Sequence, residues 1–213
     1  MEVTRIVVLD GEKKHLEKTC RFLKSFGEFS IVGKTTDFSA GVNLIYQKQP
    51  DIVIVDIYFN DQLVGKTYVG ELSRKYDCKI IVHSLQTDPE VIKECFLVGA
   101  LDYCIKNDLE LLRFSIKKVM MKNNPSAILI EAMRNSYIEN IGAKIISPSQ
   151  FEVYKLLKTG AKRREIAEIL NKDENTIKQH INKLRKILEF KHISEVASME
   201  KKIIEGIILR EKY

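Results

Sequence analysis

Five polar or charged side chains stand near the ends of predicted strands in the first half of this 213-residue chain. They are Asp10 and Glu12 after the first strand, Asp56 near the end of the third, Ser84 after the fourth and Lys106 after the fifth. Two or three carboxylates, a hydroxyl and a lysine in one crevice suit magnesium-assisted phosphoryl transfer onto an aspartate. In that chemistry a carboxylate is the nucleophile, and the metal and the lysine offset the charge of the transferring group.

The elements that must position these residues follow from the apolar pattern. Short apolar runs alternate with helical patterns, which favours repeated βα units and a parallel sheet. Ligands bind such sheets at the carboxyl ends of the strands, near the point where the strand order reverses. We therefore predict a doubly wound α/β fold with a five-stranded parallel sheet of flavodoxin-like type. The predicted strands span residues 6–9, 31–33, 50–57, 80–82 and 103–105, and the predicted helices span residues 14–26, 39–48, 69–75, 89–98 and 109–121.

Two short helices are predicted at the start of residues 147–188. Ser147 and Gln150 have the spacing of a capping box, with Pro148 at the first helical position. Gly160 is expected to end this helix. The second helix spans residues 162–170, and its predicted buried stripe comprises Ile166, Ala167, Ile169 and Leu170.

A third helix begins after Asp173, whose side chain can cap it. Its apolar residues recur at helical spacing and comprise Ile177, Ile181, Leu184 and Leu188. The opposite edge offers amides that can pair with bases and cations that can meet phosphates. The residues predicted to contact DNA are Asn175, Thr176, Lys178, Gln179, Asn182, Lys183 and Lys186. Two helices joined by a tight turn, the second of them polar and basic, indicate a DNA-binding helix-turn-helix. The alternative is a small three-helix bundle with a solvated charged face.

The net charge of +6 lies entirely in the second half of the chain. Residues 1–121 hold 17 Lys+Arg and 17 Asp+Glu, whereas residues 122–213 hold 18 and 12. A basic balance confined to this half predicts a polyanion partner for it. The sequence has neither a long apolar stretch nor a signal-peptide pattern, so we expect a cytoplasmic protein that does not engage a membrane. The four cysteines and four histidines show no metal-ligand spacing, and we expect the cysteines to be buried apolar residues.

Four spaced blocks in residues 146–197 resemble the output domain of LuxR-type regulators of the NarL/FixJ class. The pattern of that family is a helix start followed by E-V-x-x-L-L, E-I-A-x-x-L and T-V-K-x-H. The corresponding positions here are Ser147 and residues 152–157, 165–170 and 176–180. The resemblance implies a helix-turn-helix that binds double-stranded promoter DNA as a homodimer, on half-sites about 10 bp apart or a multiple of it.

This chain departs from the family pattern at the turn. Lys172 stands where the family usually has an apolar residue, and Asp173 stands where it usually has serine. Neither departure touches the predicted reading face. The residues that the resemblance implies at base edges are Lys178, Gln179 and Asn182, and those implied at phosphates are Lys183 and Lys186.

The first half resembles the receiver domains of response regulators. The matching runs are G-E-F-S-I-V-G at residues 27–33, Q-P-D-I-V-I-V-D-I at 49–57 and G-A-x-x-Y-x-x-K at 99–106. The resemblance implies that Asp56 accepts a phosphoryl group and that Lys106 contacts it. It further implies that Ser84 is the switch hydroxyl and that Tyr103 is the aromatic residue that swings with it. A sensor histidine kinase is the implied phosphodonor.

Two departures concern the Mg²⁺ that this family implies. The family usually has two adjacent acids after the first strand, and here Gly11 replaces the second. Glu12 is expected to compensate beside Asp10, because side chains two residues apart in an extended backbone point the same way. The predicted ligands are then Asp10, Glu12, Asp56 and the carbonyl of Tyr58. The loop at residues 57–65, which carries that carbonyl, lacks the proline of the family and is one residue longer.

The whole chain is interpreted as a transcriptional response regulator rather than an enzyme. We predict a receiver-like domain at residues 1–121, a linker at 122–145 with one short helix at 127–133, and a helix-turn-helix domain at 146–213. Ser194 is predicted to cap a last helix. We expect the apolar stripe of this helix to form a dimer contact rather than to fold back on the core of its own domain.

Two alternative functions remain open. One is a phosphorylation-independent regulator gated by dimerisation, a ligand or a protein partner, in which Asp56 and Lys106 persist as an ion pair. The other is a phosphotransfer protein whose basic domain docks a partner.

Overall fold

The computed structural model describes residues 3–59, 62–145 and 147–188. The chain divides into two compact units, Met1–Ala132 and Met133–Tyr213. The elements up to residue 120 are β1 Thr4–Leu9, α1 Lys13–Lys24, β2 Phe29–Thr35, α2 Phe38–Lys48, β3 Ile52–Val55, β4 Tyr58–Phe59, β5 Gln62–Leu63, α3 Gly65–Lys75, β6 Lys79–Ser84, α4 Pro89–Val98, β7 Asp102–Ile105 and α5 Leu109–Met120. The later elements are α6 Pro125–Ile145, α7 Pro148–Lys158, α8 Arg163–Ile169 and α9 Glu174–Leu188.

The first unit is built on a five-stranded parallel sheet with strand order β2-β1-β3-β6-β7. All four residues of β3 are buried, as expected for a central strand covered by helices on both faces. The strand order reverses between β1 and β3, so Asp10 and Asp56 follow the two strands that flank the switch point. The predicted doubly wound fold is confirmed.

A two-stranded hairpin, β4 and β5, is the main departure from the predicted elements of this unit. Tyr58 pairs with Leu63, and Phe59 pairs with Gln62, inside the stretch predicted as a loop. Phe59 is only 4% exposed, and its ring makes edge contacts with Phe38 and Tyr68. The hairpin therefore depends on an aromatic cluster whose members lie far apart in the sequence. The strand predicted at 50–57 is correspondingly shorter, and α3 begins four residues before the predicted helix at 69–75.

The short helix predicted at residues 127–133 is wrong in extent, because α6 runs from Pro125 to Ile145. Asn124 starts it, since its side-chain oxygen accepts from the Ser126 amide at 3.0 Å. The prediction stopped where the apolar periodicity faded. Residues 134–145 show no sustained apolar periodicity, so the pattern could not indicate the rest of the helix.

The second unit packs α7, α8 and α9 around one apolar core. The capping box is confirmed: the Gln150 amide donates to Ser147 Oγ at 3.3 Å, and the Ser147 amide donates to Gln150 Oε1 at 2.7 Å. The predicted burial of Ile169 is wrong, since this side chain is 62% exposed. It lies about 100° around the helix from the middle of the face that Ile166, Ala167 and Leu170 share.

Some predictions concern residues that the structure leaves undescribed. The helix capped by Ser194 and its proposed dimer contact lie outside the described residues, as does the side chain of Leu188.

Three of the four cysteines are buried and Cys78 is half-buried, which agrees with their expected apolar role. Within the described ranges no helix is both long enough and apolar enough to cross a membrane.

Candidate functional site

An open crevice of about 740 Å³ lies at the carboxyl ends of β1, β3 and β6. This is the place that the strand order predicts for ligand contacts. Its lining residues are Gly11, Glu12, His15, Asp56, Tyr58, Leu85, Gln86 and Lys106. The sheet thus brings together residues separated by almost a hundred positions in the chain.

Lys106 is the centre of a buried ion cluster. Its Nζ lies 2.6 Å from Asp56 Oδ2 and 2.8 Å from Asp10 Oδ2. The three residues are between 2% and 7% exposed. Burial raises the pKa of Asp10 above its usual value, and the hydrogen bond from Lys106 offsets part of that rise. The predicted nucleophile and the predicted lysine are therefore in direct contact.

The backbone of the sheet holds this cluster in place. The Asp56 amide donates to the Leu9 carbonyl at 2.8 Å, which joins the ends of β3 and β1. The Lys106 amide donates to the Ser84 carbonyl at 3.0 Å, which joins the end of β7 to β6. The geometry of the crevice therefore follows from parallel strand pairing.

Ser84 and Tyr103 meet at the loop that follows β6. Ser84 is fully buried, and its Oγ lies 3.5 Å from the Gln86 amide. The Tyr103 hydroxyl donates to the Gln86 carbonyl at 2.9 Å, and Gln86 Nε2 donates to the Tyr58 hydroxyl at 3.1 Å. Burial raises the pKa of Tyr103, so its hydroxyl stays protonated and remains a donor. Sequence reasoning missed Gln86, although its place two residues after Ser84 marks it as part of the same loop.

Glu12 lies at the rim of the crevice rather than inside it. Its side chain is 58% exposed, and Oε2 lies 3.1 Å from His15 Nδ1. The backbone amide of Glu12, not its carboxylate, contacts Asp10, since it donates to Asp10 Oδ1 at 3.0 Å. The same His15 nitrogen is 3.3 Å from Lys106 Nζ. Sequence reasoning missed His15, although its i+3 spacing from Glu12 at the start of α1 is a helical contact spacing.

Gly11 is in tight contact with the β4–β5 hairpin. A Cβ atom on residue 11 would lie 2.6 Å from the Tyr58 carbonyl oxygen and 3.0 Å from Phe59 Cα. Both neighbours are backbone atoms, so no side-chain rotation can make room. Glycine at this position permits the close approach of the hairpin.

The α9 helix separates its apolar and polar residues cleanly. Ile177, Ile181 and Leu184 are buried against α7 and α8. The predicted contact residues that are exposed are Asn175, Lys178, Gln179, Asn182, Lys183 and Lys186, and Thr176 is half-buried. The structure therefore brings these residues together on one accessible edge.

Asp173 caps α9 through two bonds. The Thr176 amide donates to Asp173 Oδ1 at 2.9 Å, and the Thr176 hydroxyl donates to Oδ2. These bonds, the hydroxyl first, lower the pKa of Asp173. Arg163 adds a link between the two helices of the motif, with Nη2 at 2.7 Å from Glu174 Oε2.

His180 has a lowered pKa, chiefly because of burial and then because of the charges of Lys172 and Lys183. Lys172, an exposed residue of the turn before α9, is therefore close enough for its charge to act on His180. Sequence reasoning treated Lys172 only as a turn residue. Its positive charge, at a position where the family usually has an apolar side chain, was the available signal.

Comparisons with known proteins agree with these two units. Residues 6–117, more than half of the chain, match the response regulator receiver domain family. Residues 136–200 match the luxR family of bacterial regulatory proteins. The transcriptional regulatory protein DesR of Bacillus subtilis is 28% identical over 177 residues, which cover 82% of this chain and 84% of DesR. DegU of Brevibacillus brevis is 26% identical over 202 residues, which cover 84% of this chain and 85% of DegU.

Solved structures share the fold. RcsB of Salmonella typhimurium has a TM-score of 0.53 at 17% identity and covers 95% of this chain and 99% of its own. RcsB in an RcsB–DNA complex has a TM-score of 0.50 at 18% identity, and the match covers 93% of this chain and 98% of RcsB. The chain belongs to the response regulator family: it is a transcriptional response regulator in which a receiver domain precedes a LuxR-type helix-turn-helix DNA-binding domain.

Proposed function

We propose that this protein binds promoter DNA through the exposed edge of α9 and that the crevice around Asp56 controls this binding. LuxR-type regulators bind promoter DNA, and this chain carries that domain. The observation that carries the proposal is the division of α9 into a buried apolar edge and an exposed edge of amides and lysines. An edge of this composition is suited to base edges and phosphates in a major groove.

The contact residues divide into two roles under this proposal. Lys178, Gln179 and Asn182 face base edges, and Lys183 and Lys186 meet phosphates. Asn175 and Thr176 lie in the first turn of α9, the end that enters the groove in helix-turn-helix proteins. Two copies of the chain bind half-sites about one helical turn apart, or a multiple of it.

The two roles are tested by comparing Lys178→Ala with Lys186→Ala in DNA-binding titrations. Loss of a base contact costs about 1–3 kcal/mol and lowers the ratio of specific to random DNA affinity. Loss of a phosphate contact weakens binding to all sequences and reduces the salt slope by about one. Lys75→Ala, an exposed lysine of α3, is the matched control. An unchanged ratio in Lys178→Ala would contradict its reading role.

In the receiver domain we assign Asp56 as the phosphoacceptor and Lys106 as its cationic partner. Ser84 is the switch hydroxyl and Tyr103 the aromatic that responds to it. The contact between Lys106 and Asp56 and the opening of the crevice to solvent support this assignment. A sensor histidine kinase is the proposed donor in the cell.

This assignment is tested by mass spectrometry of the full chain after incubation with Mg²⁺ and acetyl phosphate, in parallel with Asp56→Asn. A phosphate adduct on the wild type alone is the expected result for a phosphoacceptor at Asp56. Equal masses before and after incubation, with specific DNA binding retained, would favour the second candidate.

The second candidate is a regulator that does not depend on phosphorylation and is gated by dimerisation, a ligand or a protein partner. The contact between Gly11 and the Tyr58 carbonyl favours it, because the second acid of the family is missing and its place is occupied. The match to the luxR family favours both candidates over a phosphotransfer protein with a docking domain.

We propose the same domain bounds as the sequence predicts: a receiver domain at residues 1–121, a linker at 122–145 and the DNA-binding domain at 146–213. The division of the chain after Ala132 falls inside that linker. We further propose that the protein is a cytoplasmic homodimer.

A further inference from the structure

We propose that the acidic crevice of this receiver works without a bound divalent cation, and that Lys106 balances the charges of Asp10 and Asp56. The inference rests on the proposed receiver role of this crevice. Receiver domains commonly bind Mg²⁺ in their acidic pocket. The residues of this chain do not fit that ion, for three reasons that concern Gly11, the β4–β5 hairpin and Glu12.

The first reason is that the place of the second acid is filled by backbone. The Tyr58 carbonyl oxygen lies 2.6 Å from the position of a Cβ atom on residue 11. Even the first atom of a carboxylate side chain would overlap this oxygen. The hairpin therefore occupies the space that the side chain of an acid at position 11 would need.

The second reason is that the hairpin is anchored where it stands. Phe59 follows Tyr58 directly, is 4% exposed, and has its ring centroid 6.0 Å from that of Phe38 and 5.3 Å from that of Tyr68. The Val64 amide also donates to the Ile57 carbonyl at 2.9 Å, which closes the loop. Withdrawal of the Tyr58 carbonyl from Gly11 would pull a buried aromatic ring out of its cluster.

The third reason is that the remaining carboxylates are already engaged. Glu12, expected to replace the missing acid, is mostly exposed and pairs with His15. Asp10 and Asp56 each direct an oxygen at Lys106. In the part of the chain that the structure describes, no group of three or more His, Cys, Asp or Glu side chains is arranged to hold a metal ion. The crevice therefore offers a hard cation less charge than the three-acid set of the family.

The proposal has a direct consequence for control of the protein. With one lysine shared by two buried carboxylates, the state of the crevice depends on how Lys106 divides its contacts between Asp10 and Asp56. His15, 3.3 Å from Lys106 Nζ, is the next polar group that can influence this division.

Metal binding is tested on the full chain with Mn²⁺, an oxygen-seeking cation whose free concentration is read by electron paramagnetic resonance. Wild type and Asp56→Asn are titrated side by side. We expect the same amount of bound Mn²⁺ in both, since Asp56 holds no ion. A site present in the wild type and lost in Asp56→Asn would overturn the proposal.

The steric part is tested with Gly11→Ala against Gly27→Ala as matched control. A Cβ on Gly27 would meet no heavy atom within 4 Å in the described structure. We expect a lower melting temperature for Gly11→Ala and a nearly unchanged one for Gly27→Ala. Equal melting temperatures would show that the hairpin does not fill the place of the acid. Neither test depends on the phosphate adduct at Asp56 or on the DNA titration of Lys178→Ala, which decide the two parts of the proposed function separately.

Discussion

The Tyr103 hydroxyl donates to the backbone carbonyl of Gln86 at 2.9 Å, and this bond ties the last strand of the sheet to the loop after β6. The Gln86 side chain continues the connection to the Tyr58 hydroxyl at 3.1 Å. One chain of hydrogen bonds thus links the proposed switch aromatic to the hairpin that packs on Gly11. We expect a change at one of these residues to alter the hydrogen bonds of the others.

Replacement of Tyr103 by phenylalanine tests this connection. The variant keeps the ring and loses the bond to the Gln86 carbonyl, which costs about 1 kcal/mol of unfolding free energy. We also expect faster amide exchange in residues 85–88. Urea unfolding and hydrogen exchange measure the two effects. Tyr46→Phe is the control, because Tyr46 is 70% exposed. Equal exchange in both variants would contradict the connection.

Replacement of Asp10 by asparagine should stabilise the receiver domain at neutral pH. Burial raises the pKa of Asp10, so the folded state holds this proton more tightly than the unfolded state. Stability is then lost as pH rises through the interval between the unfolded and the folded pKa. Asp10→Asn removes that loss, while Asp56 remains as a partner for Lys106. Urea unfolding at neutral and acidic pH checks this, with exposed Asp77→Asn as control. An Asp10→Asn variant that is more stable than wild type by the same amount at both pH values would contradict this prediction.

Replacement of His83 by valine should remove a loss of stability at mildly acidic pH. Burial lowers the pKa of His83 from 6.5 to about 4, and its ring nitrogens have no hydrogen-bond partner among the described residues. The neutral ring is favoured in the folded state, so stability falls as pH drops from 6.5 toward 4. The fall amounts to about 3 kcal/mol at most. Unfolding free energies are measured across this pH range in wild type and variant. An equally steep pH dependence in the two proteins would refute the prediction.

Replacement of Asp173 by alanine should destabilise the DNA-binding domain by removing the cap of α9. The lowered pKa of Asp173 means that its contribution is present above the unfolded pKa and is lost as pH falls through the folded one. Asp173→Ser, the residue usual in the family, should keep a cap without this acid dependence. Thermal unfolding of the three proteins at two pH values separates these effects. An alanine variant as stable as the wild type at neutral pH would rule out the capping role.

Much of the architecture was predictable because it depends on local patterns. Alternating apolar runs indicated the sheet, and the approach of Asp10, Asp56 and Lys106 followed from the rule that strand ends meet at the switch point. The Ser147 cap and the apolar edge of α9 could be read from spacing alone. The burial of Ile169 and the extent of α6 were missed, since both depend on packing and helix propagation rather than on periodicity.

The sequence by itself determined the fold class, the two-domain composition, the approach of Asp10, Asp56 and Lys106, and the polar edge of α9. Only the tertiary structure decided what the crevice can hold. The sequence showed that Gly11 stands where the family has its second acid, but only the structure shows that the Tyr58 carbonyl lies 2.6 Å from the position of a Cβ atom there. That contact exists because Phe59 packs on Phe38 and Tyr68. Contacts between distant residues set this distance, and no local pattern encodes it.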